Sequence, residues 1–357
     1  MRTLICLVAV WAGIGVSQVA AADLPIPEET WDFNAFAMRE PPVSGHHAPG
    51  VELLDAIMLK CLKEIGCSGA TLTVARCDQM LYSRGYGWSD RHRTMPIHPD
   101  TPMSIGSCDK PLTTTMIRQL AQHGKLDLNA SVLRLLKIQP AGRVVDPRVW
   151  DITINHLLEH KAGWQGEPFE RAWQEANGRT YPIVAAYLLR FVMVQELAWA
   201  PGEKVVYDSF GTNTLKFVVT RVSGQSYTNY LRHHLCRPYG VTELKWVRHG
   251  ILQPGEPPHL WNGLIMEDPA DFRMGVSTPA LCTFMRCFWL DGRPRDNGNP
   301  LWVSQGSWDN TTASMIQRPD GINIAWSFNG RKKDVDPGEE LWKQAIDRLI
   351  EEKRLPN

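Results

Sequence analysis

The stretch SIGSCDKPLTTTMI, residues 104–117, sets Ser107 and Lys110 three positions apart where an extended run gives way to a helical one. Pro111 fits the first turn of such a helix, where its missing amide hydrogen costs least, so Ser107 falls near the helix N-terminus. Side chains at i and i+3 share one face, so Lys110 can reach the Ser107 hydroxyl. The exposed amides and the helix dipole favour an oxyanion there. A serine hydroxyl is a weak nucleophile until a neighbouring base takes its proton. A lysine is such a base only where burial or nearby positive charge favours its neutral form. Taken alone, S-x-x-K also arises from composition, and it reads equally as a helix cap beside a solvated lysine.

The flanking sequence supplies the architecture. Upstream, VELLDAIMLKCLKEI (51–65) has apolar residues at helical spacing and stops at Gly66. GATLTVARCDQMLYSRGYGWSD (69–90) then holds two β-rich runs around a Cys77-Asp78-Gln79 turn, a hairpin. Downstream the pattern turns helical, with segments closing on Gly124, Gly163 and Gly224. ASMIQRPDGINIAWSFNG (313–330) reads as two strands around Pro319-Asp320-Gly321, and GEELWKQAIDRLIEEKR (338–354) as a terminal helix. The pattern predicts an α/β fold of the α+β kind: an antiparallel sheet flanked by helices and completed by both chain ends, plus an inserted all-α subdomain. The α/β part covers residues 51–106 and about 265–350, and the helical part about 107–264.

The chain has 357 residues, 43% of them hydrophobic, enough for one large domain or two interlocked ones. Lys plus Arg and Asp plus Glu each total 38, so the net charge is zero, which argues against nucleic acid or an anionic membrane as partner. Residues 1–22 hold an apolar run, Leu4 to Val16, followed by Ala20-Ala21-Ala22. They read as a secretory signal peptide too short to span a bilayer, and an exported, periplasmic or extracellular protein is expected. Residues 23–50, rich in proline, read as a loosely packed leader. Setting Cys6 aside with the signal segment leaves seven of the eight cysteines, an odd number, with no zinc-finger spacing among them. Cys108, next to Ser107, is read as a small buried hydrophobe.

PMSIGSCDKPLTTTMI, LDLNASVLRLL, ITINHLLEHKAGW, PGEKVVYDSFGTNTLKFVVTRVSGQSYTNYL and CRPYGVTEL follow one another along the chain. Their order resembles the serine β-lactamase and penicillin-binding protein superfamily over roughly residues 51–350. Within it the chain looks like the class C β-lactamase-like branch, with its serine esterase and D-aminopeptidase relatives. The resemblance implies that Ser107 is the nucleophile, that Lys110 assists proton transfer, and that Tyr207 of a Y-x-S element (Tyr207, Asp208, Ser209) is the second acid and base. It aligns the third family element, K-T-G or H-x-G, with Ser304-Gln305-Gly306, and it makes the amides of Ser107 and Ser307 the oxyanion donors. Gly306 keeps that wall open to substrate. Ser304 departs from the pattern, because the usual cation is missing. That cation helps hold a carboxylate beside the scissile bond, so an ester or an uncharged amide is the expected substrate. Arg318 could replace the charge or be an ordinary exposed arginine at a turn. Trp164, Trp302 and Trp308 could line an acyl pocket or fill the core.

Two rival readings remain in view. HLLEH (156–160) fits H-x-x-E-H, a zinc-protease pattern with His156 and His160 as ligands and Glu159 as base, whereas in the resembling family this stretch is structural and metal-free. A catalytically silent envelope protein of the same fold, binding peptidoglycan or a partner, would also accommodate Ser304. No G-x-S-x-G elbow surrounds Ser107 and no phosphate-binding glycine loop is evident, which disfavours an α/β-hydrolase or a nucleotide enzyme. The expected partner is therefore a small-molecule ester, amide or peptidoglycan-derived substrate, with no cofactor, no metal and no stable membrane span.

Overall fold

The computed structural model describes residues 40–46, 49–89, 93–165, 185–242, 244–247, 273–296, 298, 300–308, 311–332 and 339–355. The expected signal peptide, the leader up to residue 39 and the side chain of Trp308 lie outside the described residues. Among these residues no helix is long and apolar enough to cross a membrane.

Apolar residues at helical spacing form α1 (Glu52–Ile65), which buries Leu54, Met58, Leu62 and Ile65. It ends at Gly66, whose left-handed φ of 74° suits a residue without a Cβ. The hairpin follows as β2 (Gly69–Arg76) and β3 (Gln79–Gly87), turning at Cys77. The last residues of the proline-rich stretch are more ordered than the composition suggests. Val43–His46 forms β1 and pairs with β3 from Tyr86 to Ser83, so this short strand supplies one edge of the sheet.

The main sheet has the order β1-β3-β2-β9-β8-β7 and is antiparallel throughout, with β7 (Trp302–Trp308), β8 (Thr311–Gln317) and β9 (Ile322–Phe328). The two chain ends meet where β2 pairs with β9, Leu72 opposite Trp326. One face is covered by α1 and the terminal helix α9 (Glu339–Glu351), which enclose Leu72, Val74, Ile324, Trp326 and the fully buried Trp342. Full burial of each such side chain contributes about 1.5–3 kcal/mol. The other face meets α8 (Thr278–Cys287) and the helical region. The Gln317 side chain closes the C-terminal end of α8, donating to the carbonyls of Met285 and Phe288 at 2.9 and 2.8 Å. It also accepts the Leu290 amide at 2.8 Å, so this buried amide is satisfied on both sides.

The helical region centres on α2 (Lys110–Gln122) against α6 (Ser209–Ser223). Leu112, Met116 and Leu120 meet Leu215, Val218 and Val219 in one buried cluster. Around them lie α3 (Val132–Leu136), α4 (Ile154–Leu158), α5 (Ala185–Val192) and α7 (Tyr227–Tyr230). A second, three-stranded sheet of order β4-β6-β5 was not apparent from periodicity. Its strands β4 (Met103–Ser104), β5 (Leu244–Val247) and β6 (Arg273–Val276) are two to four residues long, too short to show alternation. It has a clear positional role: β4 pairs with β6, and the chain leaves β4 directly into the turn that carries Ser107.

Candidate active site

Ser107 lies on a single 3-10 turn, Gly106–Asp109, that runs straight into α2. The turn is aimed from both sides. Upstream, the Ile105 amide bonds the Met274 carbonyl of β6 at 3.3 Å. Alongside, β7 approaches so closely that a Cβ on Gly306 would stand 1.9 Å from the Ile105 carbonyl oxygen and 2.8 Å from the Ser107 nitrogen. Reciprocally, a Cβ on Gly106, whose φ is +50°, would meet the Ser307 nitrogen at 2.7 Å. Glycine at both positions is thus a packing requirement, and it brings the backbone of Ser107 and that of Ser307 to the same seam.

Two side chains converge on the Ser107 oxygen. Lys110 Nζ donates to Ser107 Oγ at 2.9 Å, the i to i+3 reach within one turn. Tyr207 OH lies 2.7 Å from the same Oγ, although 100 residues separate the two in sequence. Lys110 Nζ also donates to Ser209 Oγ at 3.3 Å and stands 5.0 Å from the centre of the Tyr207 ring. Tyr207 and Ser209 reach the cluster because Asp208, between them, caps α6: its buried carboxylate accepts the Gly211 amide hydrogen, which fixes where the helix starts.

The base of the site is held by two contacts. Cys108, fully buried, donates its S–H to the Ser304 carbonyl at 3.2 Å, and burial pushes its thiol up to about 12. It therefore serves as the small hydrophobe the sequence suggested, with no thiolate to compete with Ser107. Asp109 pairs with Lys216 of α6 at 2.8 Å, with side-chain exposures of 16% and 6%. This ion pair ties the Ser107 turn to the helix that follows Tyr207. Periodicity did not single out Lys216, because a lysine within TNTLKFVV reads as a solvated interruption.

Ser304 is half-buried and its neighbour Gln305 is exposed on β7, so no charged side chain occupies the strand positions just before Gly306. Arg318 does not replace the missing cation. It sits at the end of β8 opposite Thr312, the partner of Ser307, and binds Asp320 and Asp347 at 2.7 and 2.6 Å. Nor is it exposed, as a turn arginine would be, since only 11% of its side chain is accessible. Trp164 is buried edge-on against Phe210, and Trp302 packs on the same core cluster, so both serve packing.

The H-x-x-E-H stretch resolves into unrelated contacts. His156 Nδ1 accepts the Thr153 amide while Thr153 Oγ1 accepts the His156 amide, a reciprocal cap on α4. Glu159 pairs with Lys161 at 2.8 Å. His160 turns to Tyr207, with ring centres 4.9 Å apart. Among the described residues no group of three or more His, Cys, Asp and Glu is placed to hold a metal ion.

An antiparallel sheet flanked by helices, with a serine, a lysine and a tyrosine meeting at the seam of sheet and helical region, defines a β-lactamase/transpeptidase-type protein. The chain belongs to the beta-lactamase family, whose model matches residues 54–305. Among curated relatives, it is 32% identical over 183 residues to the putative penicillin-binding protein PbpX of Bacillus subtilis, covering 51% of this chain and 42% of that one. It is 29% identical over 234 residues to esterase EstB of Burkholderia gladioli, covering 63% and 58% respectively. The chain thus spans about half the length of the curated relatives it matches. The octameric penicillin-binding protein homologue from Pyrococcus abyssi shares the fold, with a TM-score of 0.63 at 18% identity over 86% of this chain and 79% of that one.

Proposed function

We propose that the protein is an exported serine hydrolase that works through an acyl-enzyme on an ester or an uncharged amide. One observation carries the reading: the Ser107 oxygen has the Lys110 amine at 2.9 Å and the Tyr207 hydroxyl at 2.7 Å, a nucleophile with two proton-transfer groups in reach. Ser107 Oγ attacks the carbonyl carbon as its proton passes to the Lys110–Tyr207 pair. The amides of Ser107 and Ser307 hold the negative charge that develops on the carbonyl oxygen. The bond to the leaving group then breaks, and the alcohol or amine departs with the proton that pair took up. Water attacks the acyl-enzyme as its proton passes to the same pair, the bond from the acyl carbon to Ser107 Oγ breaks, and the pair returns that proton to Oγ as the acid is freed.

Substrate preference follows from Ser304. A neutral hydroxyl can offer a carboxylate a hydrogen bond but no ion pair, so a C-terminal D-alanyl peptide or a penicillin loses the attraction between opposite charges that a cation at this position supplies. Similarity to a protein named an esterase supports the same preference. The apolar run ahead of Ala20-Ala21-Ala22 supports export, which the N-terminus of the mature protein would check.

The deciding experiment offers p-nitrophenyl butyrate, nitrocefin and a D-Ala-D-Ala peptide to one preparation, and labels it with a fluorophosphonate. Ester turnover and labelling are expected, both lost in Ser107→Ala. Turnover of the peptide alone would overturn the ester preference. Absence of labelling at every pH would favour a silent envelope-binding protein, the reading that Ser304 by itself would motivate.

A further inference from the structure

The Asp208 cap on α6 and the Lys110 amine beside its ring still leave the Tyr207 side chain largely open to solvent. It is 56% exposed, lies two residues after the 61%-exposed Val205, and belongs to a stretch outside any helix or strand. A phenol so placed has solvent-facing rotamers available to it, and the hydrogen bond to Ser107 alone is worth only about 0.5–1.5 kcal/mol.

His160 grips this stretch at three successive residues. Its carbonyl oxygen accepts the Val206 amide hydrogen at 2.8 Å, on one side of Tyr207. Its Nδ1 accepts the Asp208 amide at 3.4 Å and lies 3.7 Å from an Asp208 carboxylate oxygen, on the other side. Between these contacts its ring rests on the Tyr207 ring, tilted by 39° with centres 4.9 Å apart, a favourable aromatic arrangement. The backbone is bent to allow this. His160 has a φ of +54°, the left-handed region that few side-chain-bearing residues adopt and that marks a position held by its surroundings. Only 22% of the His160 side chain is accessible, so its ring is the firm surface against which an exposed tyrosine stands.

We infer that His160 is a positioning residue for Tyr207, holding the phenol over the Ser107 hydroxyl by clasping the backbone on both sides of Tyr207 and packing against its ring. The inference rests on the hydrolase reading above. His160 touches neither Ser107 nor, in the proposed chemistry, the substrate's reacting atoms. Its effect therefore passes through the Tyr207 hydroxyl and vanishes where that hydroxyl is gone.

A double-mutant cycle tests this, using p-nitrophenyl butyrate turnover and the rate of fluorophosphonate labelling of the full chain. His160→Asn is the informative variant, because asparagine tolerates left-handed φ and keeps an acceptor for the Asp208 amide while removing the ring. Its expected loss is about 10- to 100-fold in kcat with KM within about twofold, the cost of misplacing a proton-transfer group by about 1 Å. In a Tyr207→Phe background the same change is expected to cost less than about twofold. Equal losses in both backgrounds would overturn the proposal, as would a His160→Asn crystal structure with the phenol still 2.7 Å from Ser107 Oγ. If His160→Asn fails to fold, His160→Gln enters the same cycle. Wild-type protein inert to both reagents would sink the hydrolase reading and leave this one to the crystal structure, in which displacement of the phenol sustains it.

Discussion

The turn at Ser107–Lys110 and the turn at His156–His160 look alike in sequence: each sets two reactive side chains about one helical turn apart, the first where a helix begins and the second across the end of the short α4. In the first, Lys110 reaches the Ser107 oxygen, Gly106 and Gly306 let β7 pack directly on the turn, and Tyr207 closes it from outside. In the second, the two imidazoles part: His156 spends its ring on capping its own helix, and His160 leaves through a left-handed residue toward Tyr207. The difference lies in what neighbouring elements impose on the motif. Spacing makes convergence possible, and a second element pressed against the turn makes it happen.

The sharpest way to break this comparison is to remove the converging groups. Lys110→Ala and Tyr207→Phe are each expected to lower kcat/KM for p-nitrophenyl butyrate by about 10²–10⁴-fold, the range for a lost general acid or base. Near-normal rates in either would mean that convergence on Ser107 is incidental. Next in size is Gly306→Ala. Its methyl group cannot coexist with the Ile105 carbonyl at 1.9 Å, so β7 must withdraw from the Ser107 turn. An urea midpoint corresponding to a loss of about 1–3 kcal/mol is expected, together with slowed labelling of Ser107. Unchanged labelling would show that the pressed strand is not what shapes the site.

The same contrast explains what the sequence could disclose. The six-stranded sheet was legible in its β2–β3 and β8–β9 hairpins and in helices stopped at Gly66 and Gly224, since alternation and left-handed caps are local signals. The small β4-β6-β5 sheet and the edge strand at Val43 were not, because a few residues of strand carry no period. At the site, Ser107 and Lys110 are visible as a pair, but Tyr207, 100 residues away, joins them only through resemblance to a family order. His160 stayed hidden for a different reason. Its contribution depends on a backbone dihedral and on what lies opposite, neither of which is written in HLLEH. The Asp109–Lys216 pair is similar, a charge on an apolar helix face whose partner comes from another element.

A smaller effect sharpens the account of how Tyr207 is delivered. Asp146 binds the Arg148 guanidinium at 2.7 Å and accepts the Leu197 amide at 3.0 Å. It thereby anchors the segment that folds over Gly163 through the amides of Ala198 and Trp199 and then runs on to Tyr207. The Arg148 hydrogen bonds outweigh the cost of burial and, with the Leu197 amide, hold the Asp146 carboxyl down at about 2. A folded-state value below the unfolded one of about 3.9 stabilises the native state above that pH, and the contribution is lost as pH falls through about 2. Asp146→Asn is therefore expected to cost about 1 kcal/mol at pH 7, discounted for a half-exposed Arg148, with the gap to wild type closing between about pH 4 and 2. Urea unfolding across that window measures it, and a gap independent of pH would detach Asp146 from this role.

The smallest expected effect bears on the second turn directly. Glu159 would be the general base if His156 and His160 held a zinc ion, and its loss would then abolish turnover. In the structure its carboxylate is more than half exposed and pairs with Lys161 at 2.8 Å, a surface contact worth about 0–1 kcal/mol. Glu159→Gln keeps the side chain's shape and removes only the charge, so activity within about twofold of wild type and an unchanged urea midpoint are expected. A loss approaching that of Lys110→Ala would reverse the comparison, because the turn whose side chains part would then be the one that carries the chemistry.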